Sequence, residues 1–141
     1  MNRDRLVNQL ILDEGMKLYA YQDSLGYTTI GIGRLIDRRK NGGITVEEAK
    51  YLLNNDIETA VKQLDEHLPW WRNLTDARQE VLVNMTFNLG IDGLLKFANT
   101  LASMHAEEYA AAAAGMRHSR WATQVGARAE RLAHMMETGE D

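Results

Sequence analysis

A chain of 141 residues, 45% hydrophobic and 26% charged, has enough apolar side chains for one core and too many for disorder. It has no cysteine, which excludes a disulfide frame, and its four histidines (67, 105, 118 and 134) stand too far apart to match a metal spacing. A net charge of −4, no apolar run of membrane length and no dense basic stripe argue against a membrane-spanning protein and against a nucleic-acid binder.

The first element is a helix over 3–14. Leu6, Val7, Leu10 and Ile11 recur with a period of about 3.6 and share one face. Asn2 suits the N-cap, Asp4 the first turn and Gly15 the C-cap. Glu14 falls on the same apolar stripe, beside the negative end of the helix dipole. A carboxylate there is expected to be hard to ionise, as a general acid working near neutral pH needs to be. The plainer alternative is a solvated residue at a frayed helix end.

Lys17 to Arg34 reads as a β-hairpin. Tyr19, Tyr21, Tyr27, Thr28, Thr29, Ile30 and Ile32 favour strands, and Ser24-Leu25-Gly26 reads as the turn. Along the second strand Thr28, Ile30 and Ile32 face one way, and Thr29, Gly31 and Gly33 the other. A face of Thr, Gly and Gly packs no core and leaves room for something to approach the backbone. The glycines could equally serve only to bend the sheet.

A polar turn over 37–43, which can lead through a third short strand, comes next. Thr45-Val46-Glu47-Glu48 has the form of a capping box. The helix it opens runs on Leu52, Leu53, Ile57, Ala60, Val61 and Leu64 to about His67, before Pro69, and is long enough to connect two lobes. Thr75 opens another helix, with Val81, Leu82, Met85 and Leu89 on its apolar side and Gly90 closing it. Shorter helices are expected at about 92–104, at 106–114 ending at Gly115, at about 119–123 and at 126–136.

These elements predict an α+β protein, mostly helical, as a single domain over 1–141. A small β-hairpin lobe takes about 15–44, an inter-lobe helix about 45–67 and a helical lobe about 70–136. Helix 3–14 is expected to pack with the later helices, leaving a cleft between the lobes with Glu14 at its floor.

Eight residues separate Glu14 from Asp23, and five separate Asp23 from Thr29. A helix end, a turn and a strand thus each offer one polar group near the junction of the lobes. Two carboxylates in different surroundings are the usual equipment for cleaving a glycosidic bond. The shielded one protonates the leaving oxygen, and the solvated one stays ionised to handle water or developing positive charge. A Thr hydroxyl can hold the attacking water.

Leu12-Asp13-Glu14-Gly15, Tyr21-Gln22-Asp23-Ser24 and Gly26-Tyr27-Thr28-Thr29-Ile30-Gly31-Ile32-Gly33 together resemble the active-site region of the phage-type lysozymes, the endolysins of the T-even kind. The spacing of Glu14, Asp23 and Thr29 matches that family's triad. The resemblance extends over nearly the whole chain. It includes Gly43-Ile44-Thr45 with Glu48-Ala49, Asn84 to Gly90, Phe97 to Leu101, Ser119-Arg120-Trp121 and Ala127-Arg128-Ala129.

The resemblance implies a lysozyme-like fold and an inverting muramidase. Such an enzyme hydrolyses the β-1,4 bond between N-acetylmuramic acid and N-acetylglucosamine in peptidoglycan, lyses bacteria and needs no cofactor or metal. Glu14 is then the acid, Asp23 the base or electrostatic stabiliser and Thr29 the water holder. Leu35, Phe87 and Thr100 match cleft-lining positions, with Gly33, Asn88 and Arg120 as further candidates for substrate binding. Arg128 matches an arginine that pairs with the catalytic Glu. A lytic transglycosylase on the same fold would need no base, so Asp23 and Thr29 favour hydrolysis over it. The intact triad likewise argues against a wall-binding protein that has lost its activity.

Some positions depart from the family pattern. Arg34 stands where relatives often carry His, and an ion pair of Arg34 with Asp56 is expected. Asn88 replaces a longer amide, and Gly115 falls where a relative offers a binding Asn. Charge is uneven. Residues 1–44 hold 7 Lys/Arg against 5 Asp/Glu, 45–114 hold 5 against 11, and 115–136 hold 4 against 1. Two basic patches would therefore have to steer the chain to an anionic wall. The N-terminus reads as an amphipathic helix rather than a signal-peptide core. The expectation is a monomer made in the host cytoplasm, without membrane insertion, that reaches peptidoglycan after a separate holin-type protein permeabilises the membrane.

Overall fold

A computed structural model describes residues 1–140. The chain forms two compact units, Met1–Tyr51 and the residues from Leu52 onward. The architecture is α+β and mostly helical, with one small antiparallel sheet, as the sequence predicts.

The first unit opens with α1 (Arg3–Glu14). Asn2 caps it, its side-chain oxygen accepting from the Arg5 N–H at 2.9 Å. Gly15 ends it at φ 77°, with its N–H donating to Ile11 O. Strands β1 (Lys17–Gln22), β2 (Thr28–Gly31) and β3 (Arg34–Leu35) follow in a three-stranded sheet of order β1-β2-β3. The predicted hairpin therefore gains its short third strand. Asp23 organises the β1–β2 turn: its Oδ1 accepts from the N–H groups of Leu25 (2.9 Å) and Tyr27 (2.8 Å). The sheet register shifts between Lys17 and Tyr21, so β1 carries a bulge. A 3-10 turn, Arg38–Lys40, is capped by Asp37.

The capping box forms as expected. The Glu48 N–H donates to Thr45 Oγ1 (3.1 Å), and the Thr45 N–H to Glu48 Oε1 (3.0 Å). It opens α2 (Val46–His67), whose 22 residues begin in the first unit and continue into the second.

The second unit contains the apolar core. Leu64 of α2 and Trp71 of the 3-10 turn Pro69–Asn73 join residues from α3 (Asp76–Leu95), α4 (Ala98–His105), α5 (Tyr109–Arg117), α6 (Arg120–Val125) and α7 (Ala127–Thr138). Met85, Met104, Met116 and Met136 are all fully buried, flexible thioethers that fill the gaps between short helices.

Two helix boundaries differ from those predicted. The helix expected over 92–104 is two pieces. A short segment after the break at Gly90 (φ 74°) ends at Leu95, and α4 begins only at Ala98. The helix expected to end at Gly115 runs through it to Arg117. The reason is packing: a Cβ at residue 115 would collide with the Thr100 hydroxyl, so glycine serves there for close approach of α5 to α4 rather than as a stop.

Candidate active site

Glu14 is the last residue of α1, and its carboxyl group lies against the backbone of Gly33. A Cβ placed on Gly33 would stand 2.6 Å from Glu14 Oε2 and 2.9 Å from its Cδ. Gly33 also holds a φ of +69°, which disfavours any side chain. The strand alternation predicted for Thr29, Gly31 and Gly33 does not hold, because β2 ends at Gly31 and Gly33 lies in the turn before β3; the room at Gly33 is taken by the Glu14 carboxyl.

Thr29 lies opposite Tyr21 on β1 and opposite Leu35 on β3, so these three side chains share one face of the sheet. Thr29 is 3% exposed, and its hydroxyl donates to Tyr27 O at 3.0 Å. With its proton committed to that carbonyl, the hydroxyl oxygen is left to accept a hydrogen bond, which suits it to hold a water. Asp23 stands at the end of the same face. Both turn N–H groups fall on its Oδ1, which fixes the carboxylate plane. The first unit thus gathers Glu14, Asp23, Thr29, Gly33 and Leu35 within itself.

Arg34 pairs with Glu48, not with the expected Asp56. Its Nη2 is 2.8 Å from Glu48 Oε2, and its Nη1 donates to Gly43 O at 3.1 Å. The reason is local. Arg34 sits in β3, and the capping box holds the Glu48 carboxylate within its reach. The Thr45 N–H is the largest influence holding Glu48 below the usual carboxylate range, with Arg34 adding to it.

The second unit holds the other candidates. Phe87 is half exposed and lines an open groove of about 620 Å³ with Asn84, Val83, Ile57 and Arg128. Arg128 donates to Asn84 Oδ1 through Nε (3.0 Å) and Nη2 (2.6 Å). Asn88 accepts at 2.8 Å from the indole N–H of the buried Trp121. Thr100 is buried beneath Gly115, and Arg120 is exposed at the start of α6 behind the Ser119 cap. Of these, Phe87 and Arg128 share the groove, while Asn88, Thr100 and Arg120 are not among its lining residues. Asn84, three residues before Phe87 on the same helix, joins the groove through its contact with Arg128, which no local pattern in the sequence signals.

The chain is thus mostly helical and α+β, with Glu14 at the end of its first helix, Asp23 in the hairpin turn and Thr29 on the following strand. Residues 12–136 match the family described as Phage lysozyme, and the chain belongs to it. It is 30% identical over 158 residues to "Probable T4-type lysozyme 1" of Dictyostelium discoideum, covering 94% of this chain and 93% of that protein. It is 29% identical over 160 residues to "Probable T4-type lysozyme 2" of the same organism, covering 95% and 94%. It is also 31% identical over 159 residues to "Pre-baseplate central spike protein Gp5" of Enterobacteria phage T4, where it covers 95% of this chain but spans 28% of that longer protein. No helix of the described residues is long and apolar enough to cross a membrane, and they contain no group of acidic, His or Cys side chains able to hold a metal.

Proposed function

We propose that the chain is a peptidoglycan muramidase that hydrolyses the β-1,4 bond between N-acetylmuramic acid and N-acetylglucosamine with inversion and so lyses bacteria. The observation that carries this reading is the seating of the Glu14 carboxyl on Gly33, in the same unit as the Thr29 face that ends in Asp23. Glu14 donates its proton to the glycosidic oxygen as the bond breaks and the sugar becomes oxocarbenium-like. Asp23, its plane fixed by the turn, stabilises that charge and takes a proton from the attacking water. Thr29 accepts a hydrogen bond from this water and aims one lone pair at the anomeric carbon. Leu35, opposite Thr29 on β3, offers an apolar surface to a sugar ring.

By the same reading Phe87, Asn88, Thr100, Gly33 and Arg120 contribute to substrate binding, and Arg128 supports the catalytic Glu. The protein works as a monomer without a cofactor. Access to the wall comes through a separate holin-type protein, and expression with and without such a protein tests that step.

The main test is digestion of purified peptidoglycan by wild type and by Glu14→Gln, with the released sugars analysed by mass and anomeric configuration. Hydrated reducing ends of inverted configuration, lost in Glu14→Gln, support the proposal. Anhydro ends would shift the reaction to a transglycosylase. No release by a folded wild-type protein would leave a wall-binding protein.

A further inference from the structure

The seat of the Glu14 carboxyl is built on a turn with little of its own to hold it. β2 ends at Gly31 and β3 starts at Arg34, so Ile32 and Gly33 make the connection. Gly31 and Gly33 both stand at φ +69°, a conformation that glycine enters and leaves at little cost. Ile32 is 39% exposed, so its side chain does not pin the turn in a core. β3 is two residues long and pairs only Leu35 with Thr29 and Arg34 with Ile30. A ladder this short leaves the turn free to drift unless something beyond it holds β3.

Arg34 supplies that hold. Its backbone follows directly on Gly33, and its guanidinium reaches two fixed points. Nη1 donates to Gly43 O at 3.1 Å, and Nη2 lies 2.8 Å from Glu48 Oε2. Both points are themselves anchored. The Gly43 N–H donates back to Leu35 O at 2.8 Å, and the other Glu48 oxygen accepts the Thr45 N–H at the start of α2. A planar guanidinium fixes direction as well as distance when it grips two acceptors at once. β3 is thereby tied to the first turn of a long helix rather than to a mobile loop.

The pair is half exposed, so it contributes little to overall stability. Its effect falls instead on the residue next to it. The Glu14 carboxyl fits where a Cβ on Gly33 would stand, so a small shift of Gly33 removes the seat. We propose that Arg34, anchored on Glu48 and Gly43, is a positioning residue that holds Gly33 against the Glu14 carboxyl and so keeps the acid aimed. It acts through the backbone of its neighbour. This rests on the reading of Glu14 as the catalytic acid.

The test joins kcat on solubilised peptidoglycan to a readout that needs no activity: carbon-13 NMR titration of the Glu14 carboxyl, followed together with the backbone signals of Gly33. The proteins are wild type, Arg34→Ala, Arg34→Lys and Arg39→Ala, the last removing another exposed ion pair from the segment between β3 and α2. In wild type the Gly33 signals are expected to move as Glu14 ionises. Arg34→Ala is expected to lose most of that coupled movement and to lower kcat about tenfold. Arg34→Lys, which keeps the charge but not the fork, recovers part of both, and Arg39→Ala leaves both as in wild type. If the Arg34→Ala spectrum shows an unfolded chain, Glu48→Gln takes its place with the same expectation, since it keeps an acceptor for the Thr45 N–H. Gly33 signals that ignore Glu14 in wild type, or that follow it equally well in Arg34→Ala, overturn the proposal. So does a wild-type kcat in Arg34→Ala, or an equal loss in Arg39→Ala, which would mean general softening of the segment. If wild type cleaves no peptidoglycan, the muramidase reading fails, and the NMR comparison alone decides whether Arg34 holds the seat.

Discussion

The carboxyl group of Glu14 occupies the space that a side chain at Gly33 would fill, with its Oε2 2.6 Å from the position of that missing Cβ. A helix end and a strand end are thus fitted to each other by the absence of one methyl group. Gly33→Ala has two consequences. The φ of +69° costs Ala about 1–2 kcal/mol, and the new methyl displaces the carboxyl. A displacement on that scale at a catalytic acid is expected to lower kcat on the order of 100-fold. Kinetics on solubilised peptidoglycan check this, and a variant with wild-type kcat shows that the contact has no catalytic role.

Glu48 answers to two partners at once, the Thr45 N–H and Arg34. The cap and the exposed ion pair are separable. Glu48→Gln keeps an acceptor for the Thr45 N–H and loses only the charge, whereas Glu48→Ala loses both. Thermal melting is expected to rank wild type and Glu48→Gln close together, with Glu48→Ala clearly lower. Arg34→Ala is expected to change little, as for exposed pairs in general. If Arg34→Ala destabilises as much as Glu48→Ala, the ion pair dominates and the capping argument is wrong.

Local chemistry is what could be read from the sequence. Asn2, Gly15, the Thr45–Glu48 box and the Asp23 turn act over two to four residues, and each forms as expected. So do the opposed faces of Thr28 and Thr29. What escaped depends on residues far apart in the chain. Nothing near Gly115 announces that Thr100 needs its space, so it read as a helix stop. Nothing near Arg128 announces Asn84, forty-four positions away. The Arg34 partner expected from the resemblance was Asp56, whereas the capping box holds the Glu48 carboxylate within reach of Arg34. For the site, the Glu14–Gly33 contact was half legible. Room at a glycine was visible, but that Gly33 leaves the strand and that Glu14 fills its space was not.

Asp65 and Asp37 contribute to the acid limb of stability. The Arg72 guanidinium and then the Trp71 indole N–H hold the Asp65 carboxyl at about 2, below its ordinary 3.8. The side chain of Arg39, with its backbone N–H, does the same for Asp37, also at about 2. Both folded values are depressed, so the stabilisation is present above the unfolded value and is lost as pH falls from about 4 toward 2. Melting temperatures of wild type are expected to drop through that window. Asp65→Asn is expected to be less stable at neutral pH and to show a shallower fall between pH 4 and 2. Because Trp71 donates to Asp65 at 2.7 Å, Trp fluorescence follows the same titration. Parallel curves for the two proteins would show that this carboxylate is not responsible.

Gly115→Ala reverses the usual rule for helices. A mid-helix Gly→Ala change ordinarily gains about 1 kcal/mol. At Gly115 the new methyl meets Thr100 Oγ1 in a buried contact, so the variant is expected to be destabilised. Removing the obstacle in Gly115→Ala/Thr100→Ala restores the helix preference and should recover part of the loss. Urea titration of the single and double variants gives the coupling. Additive effects would show that the two positions do not compete for space.

The two units differ in what holds them together. In Met1–Tyr51 the only buried side chain is that of Thr29, whereas every buried apolar side chain belongs to residues from Ala60 onward. A peptide of about fifty residues without an apolar core cannot offset the entropy of ordering its backbone. The fragment 1–51 is therefore expected to show no cooperative melting and little protection of its amides from exchange. The fragment 52–141 keeps Leu64, Trp71, Leu82, Met85, Met104, Trp121 and Met136, and is expected to unfold cooperatively. In the whole chain, amides of β1–β3 should then exchange faster than those of α3, α5 and α7, because their ladder has no core of its own to protect it. Exchange measured by NMR decides this. Strand amides as slow as those of α5 would mean that the sheet draws its stability from burial of another kind.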